Sequence, residues 1–123
     1  MRALKRLSGV TLIFVLASIF TLNTWADSSS ISAAQAAQHV GERAVVVDRI
    51  AQVFTSDKGN TFLNFGGPYP YHTFCAVIFD SKADAFSDLE HLSGKRVRIS
   101  GKIGSYRGKP QIILESANQL EVL

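Results

Sequence analysis

The sequence predicts an all-β domain with two short helices, a five-stranded Greek-key barrel carrying a helix between its third and fourth strands. Three observations point there. Residues 61–79, TFLNFGGPYPYHTFCAVIF, hold two aromatic and β-branched runs separated by Gly66, Gly67, Pro68 and Pro70. Residues 95–103 alternate, with Val97, Ile99 and Ile103 on one face and Arg96, Arg98, Ser100 and Lys102 on the other. Between these stretches Ala83, Phe86, Leu89 and Leu92 recur every three residues, so the period changes where such a barrel carries its helix.

Residues 1–26 stand apart. Arg2, Lys5 and Arg6 precede an apolar run from Leu7 to Leu22, and Thr24-Trp25-Ala26 offers a small-residue exit before Asp27. That order is expected of a secretory signal peptide, with a periplasmic or secreted mature protein and no membrane association after cleavage. Three of the 13 basic residues lie in this segment, leaving ten against ten acidic ones. The basic balance of the whole chain is therefore no argument for a polyanionic partner. Residues 27–123 suit one small domain with a single core. Cys75 is the only cysteine, so an intramolecular disulfide is excluded.

The elements follow in order. Ser32 and Gln35 form a capping box ahead of an alanine-rich helix at 32–40, stopped by Gly41, with Ile31 as a staple and Val40 facing the core. Residues 43–54 form the first strand, Val46 and Ile50 pointing inward and Asp48 outward. A turn at 55–60 leads to strands 61–65 and 73–79. Ser81 caps a helix over 80–91 whose Asp80, Asp84 and Asp88 make a solvated face. Strand 95–103, a hairpin connection at 104–109, strand 110–115 and a short return at 116–123 complete the chain.

Five strands with a helix after the third are the layout of the OB-fold. The segments AAQHVGERAVVVDRIAQV, TFLNFGGPYP, FCAVIF, LSGKRVRISGKI and YRGKPQIIL also resemble, in order and spacing, bacterial OB-fold domains of the nucleic-acid-binding, tRNA-anticodon-binding-like type. Small exported stand-alone proteins of this kind look similar from end to end. The resemblance implies the barrel and a nucleic-acid-binding role. One departure is Asp48, where the family often has a glycine that permits a bulge in the first strand.

Candidate chemistry is binding rather than catalysis. His39, His72 and His91 have no motif partner, and no metal-ligand, cofactor or phosphate-loop spacing occurs. Ligands of OB-folds lie across strands two and three and the flanking loops. That places Lys58, Phe62, Asn64, Tyr69, Tyr71 and Phe74 among the candidates. Arg96, Arg98 and Lys102 on the fourth strand join them, with Tyr106, Arg107 and Lys109 in the hairpin. Aromatic faces beside cations suit single-stranded nucleic acid. A protein or oligosaccharide partner is the alternative.

Overall fold

A computed structural model describes residues 29–123, so the expected signal segment 1–26 lies outside the described residues. The strands are β1 (Arg43–Thr55), β2 (Thr61–Phe65), β3 (Phe74–Ile78), β4 (Arg96–Tyr106), β5 (Lys109–Ile113) and β6 (Leu120–Val122). β1 pairs antiparallel with β2 and with β4, β2 with β3, and β4 with β5, while β3 meets β5 in parallel. The ring β1-β2-β3-β5-β4 thus closes on itself, which is the OB-fold barrel. β6 adds a short antiparallel strip along the first half of β4.

β1 serves two partners in succession. Arg43 to Arg49 pair with β4, and Ile50 onward pairs with β2. Ile50 lies opposite Phe65 and Gln52 opposite Asn64, so Ala51 is an extra residue, a bulge. One added residue inverts the alternation of side chains. Val46 and Ile50 point into the core as the sequence predicts. Beyond Ala51 it is Val53 that packs inward, while Gln52 and Phe54 come out. The bend that a glycine would ease at Asp48 therefore falls three residues later.

Asp48 does not turn outward. It is half-buried, and its carboxylate accepts the Ala33 N–H at 2.9 Å and the Arg49 N–H at 2.8 Å. The first tethers a 3₁₀ helix, Ala33–His39, that buries Ala33 and Ala36 against the barrel. Gln35 Oε1 accepts the Ser32 N–H at 2.8 Å, so the expected cap forms. Val40, expected against the core, is half-exposed because the chain leaves the helix there.

The segment after β3 also differs from the expected single helix. It forms two 3₁₀ turns, Asp80–Ala85 and Leu89–Leu92, broken at Asp88, whose φ is 54°. Leu89 and Leu92 lie one 3₁₀ turn apart, whereas Phe86 is extended, with φ of −120°, in the break between the two turns. Phe86 and Leu89 are half-buried against the core and Leu92 is buried. Phe79, not Ser81, occupies the cap position.

Inside the barrel Leu63 and Phe65 meet Phe74, Ala76 and Ile78 from β3, Val97, Ile99 and Ile103 from β4, and Ile112 from β5. The Phe65 and Phe74 rings lie 5.4 Å apart at 52°. Gly101 marks the corner where β4 passes from β1 to β5, and a Cβ there would come within 2.8 Å of Ile112 Cγ2. Phe74→Ala should cost about 3–5 kcal/mol in urea unfolding, as for a large ring removed from a packed core. Phe54→Ala, at a half-exposed ring, should cost less than about 1 kcal/mol. Equal losses would contradict this assignment of faces.

Candidate functional site

The outer face of β2, β3 and β5 forms the floor of a groove of about 400 Å³. Strand register puts Gln52, Asn64, Cys75 and Gln111 in one row across four strands. Asn64, Cys75 and Gln111 line the groove. Phe54 and Phe62 stand beside that row with ring centroids 6.2 Å apart at 27°, a stacked pair with Phe54 half-exposed. Phe62 and Asn64 share the groove side because Leu63 and Phe65 take the core side.

The loop between β2 and β3 forms one wall, through Tyr69, Pro70 and His72. Two side chains hold it down. Gln52 Oε1 accepts both the Asn64 Nδ2–H and the Tyr69 N–H, each at 2.9 Å. From the other side Lys109 Nζ donates to the carbonyls of Pro70 at 2.8 Å and His72 at 2.6 Å. Lys109 spends two of its three protons in this way and keeps its charge at the groove.

The opposite wall is the hairpin between β4 and β5. Arg107 and Gly108 both have positive φ, 52° and 80°, which defines a type I′ turn. Asn-Gly is the usual pair there, and an arginine in the left-handed region costs about 1 kcal/mol. The Arg107 guanidinium carbon lies 5.3 Å from the centre of the Tyr106 ring. Among the described residues Arg107 and Lys109 are the charged ones lining the groove, and no carboxylate lines it.

Two further groups lie in the groove. Burial pushes the Cys75 thiol up to about 12, only partly offset by a backbone hydrogen bond at Leu63. It is thus a neutral, soft part of the floor at physiological pH. His72 titrates below its ordinary value, first through desolvation and then through the nearby Lys109 charge, and its Nδ1 is buried without a partner among the described residues.

Of the residues singled out by sequence, Phe62, Asn64, Tyr69, Tyr106, Arg107 and Lys109 meet in the groove. Phe74 does not: its ring is wholly buried in the core and offers no face to a ligand. Tyr71 is 79% exposed beyond the groove wall, and Lys58 sits in the loop between β1 and β2, outside the lining. Arg96, Arg98 and Lys102 project outward from the half of β4 that pairs with β1, outside the groove lining. Arg98 is ion-paired with Glu121. Phe54, Pro70, His72, Cys75, Pro110 and Gln111 line the groove without having been singled out. Phe54 and Gln52 escape a reading by alternation because the bulge at Ala51 leaves no mark in composition. Cys75 and Gln111 follow from the face opposite Phe74 and Ile112, once the core side is known.

Solved structures share this architecture. The OBody AM2EP06, in a structure bound to hen egg-white lysozyme, is similar with a TM-score of 0.57 at 14% sequence identity, over 78% of this chain and 94% of its own. A chain described as an aspartyl-tRNA synthetase from Leishmania major Friedlin is similar with a TM-score of 0.51 at 7% identity, over 78% of this chain and 21% of its own. At such identities the likeness concerns the fold alone. No family model and no curated protein matches the chain.

The lowered titration of His72 has a consequence for stability. As pH falls, the unfolded chain binds the proton first, so stability is full above the ordinary histidine value of 6.5 and declines below it. The melting temperature should therefore fall between about pH 7.5 and 5, and His72→Gln should reduce that fall. An identical pH profile in the variant would show that His72 contributes nothing to it.

Proposed function

We propose that the chain is an exported, non-catalytic OB-fold module whose groove takes a short stretch of single-stranded nucleic acid. The observation that carries this reading is the lining itself: the Phe54–Phe62 pair and Tyr106 beside Arg107 and Lys109, with no carboxylate in the lining among the described residues. Flat apolar faces accept bases of any sequence, at about 1–3 kcal/mol each, and the two cations balance phosphates. Gln111 adds an amide group that can meet a base edge. The volume, at the small end of ligand clefts, suits one or a few nucleotides rather than a long tract. Residues 1–26 are read as the export signal on sequence order alone.

A second reading has an observation of its own. The amide row and the aromatic pair would equally suit the polar edges and flat faces of an oligosaccharide. The near-neutral charge of residues 27–123 agrees with such a partner, and the lysozyme complex of the OBody leaves a protein partner in the same class.

Fluorescence anisotropy of labelled DNA and RNA oligonucleotides separates these readings. Two phosphate contacts imply an affinity that falls about sevenfold between roughly 50 and 200 mM salt. Tyr106→Ala should weaken binding about 5- to 150-fold, the equivalent of one stacked base. Arg107→Asn should also weaken it while leaving the fold at least as stable, because Asn suits the turn better. Flat traces would reject the nucleic-acid reading in favour of a glycan or protein. With protein recovered from an exporting host, a mass beginning at Asp27 supports export and one retaining residues 1–26 speaks against it.

A further inference from the structure

Gln111 forms part of two depressions. One is the aromatic groove, and the other is a cleft of about 330 Å³ that also contains Gly104, Lys102 and Arg43. Register places Gly104 opposite Gln111 on β4 and Lys102 opposite Arg43 on β1. The sheet therefore runs from the groove over Gln111 and Gly104 to a pair of cations. Gly104 carries no side chain, and a Cβ there would meet only the Gln111 carbonyl at 4.0 Å, so it forms an open saddle between the two.

Arg43 and Lys102 are like charges directly opposite one another on an antiparallel pair, an arrangement that destabilises a sheet. Both are exposed. Among the described residues neither forms an ion pair, although Glu115 lines the same cleft. Their neighbours differ: Arg98 is paired with Glu121, and Arg49 donates to the Gly94 carbonyl at 2.7 Å. Arg43 and Lys102 are thus left with charge to offer a ligand, next to a track that leads from the groove.

We propose that a single strand seated by its bases in the groove continues across Gln111 and Gly104 and places two further phosphates on Arg43 and Lys102. This rests on the nucleic-acid reading of the groove and extends it to a longer ligand. Among the described residues Glu115 is the one acidic residue lining the cleft, against Arg43 and Lys102, which leaves the lining net positive.

The test compares labelled oligothymidylates of about 3 and about 12 nucleotides, below and within the span usual for one OB-fold. Each is titrated against the wild-type chain and the double variant Arg43→Thr/Lys102→Thr. Two extra phosphate contacts predict a salt slope, log affinity against log salt, steeper by about 1.4 for the longer strand. The double variant should abolish that difference, leave short-strand affinity unchanged, and melt no lower than wild type. Equal slopes for both lengths, or a slope difference that survives the double substitution, overturn the extension while the groove reading stands. Failure of both oligomers to bind overturns the two together.

Discussion

Closing five strands into a ring obliges β1 to pair with β4 through its first half and with β2 through its second. A straight strand cannot do both without a bend, and Ala51 supplies it. Much of the structure depends on that one residue. The bulge exchanges the two faces of β1, sending Val53 to the core and Gln52 and Phe54 to the surface. Without the exchange, Phe62 would have no stacked partner and the loop after β2 would lose the acceptor that Gln52 provides.

The groove is consequently a product of barrel closure rather than a separate device. Its floor is the outer side of strands whose inner side is the core, so each side chain position is fixed by packing behind it. Its loop wall is fastened on both flanks, by Gln52 through the Tyr69 N–H and by Lys109 through two carbonyls. Fastening matters energetically, because a wall ordered before binding does not charge its ordering entropy against the ligand. Arg107 runs the other way. It occupies a turn position better suited to asparagine, and such local misfit is a recurrent feature of functional sites.

The barrel was legible in the sequence because its cues are local. Val97, Ile99 and Ile103 alternate with charged residues, and the glycines and prolines of 66–70 separate two aromatic runs. Phe86, Leu89 and Leu92 mark the segment that packs on the core, but nothing local marks the break at Asp88 that divides it into two 3₁₀ turns. The site was only partly legible. Tyr106, Arg107 and Lys109 cluster in the chain, so their convergence is local. Phe54 depends on a bulge, Gln111 on the parallel pairing of β3 with β5, and the burial of Phe74 on its partner Phe65; none of these is a local property. The basic residues of β4 show the same limit, because alternation says which residues share a face but not what lies across from them.

The most direct test of the account follows backbone amides by ¹⁵N–¹H correlation spectra as a short unlabelled oligonucleotide is added to residues 27–123. The account predicts shifts concentrated at Phe54, Phe62, Asn64, Gln111 and the Tyr106–Arg107 turn, the residues that the bulge and the hairpin bring together. Shifts confined to Arg96 and Arg98, or spread evenly over the exposed cations, would contradict it by showing that charge alone and not the aromatic groove receives the ligand.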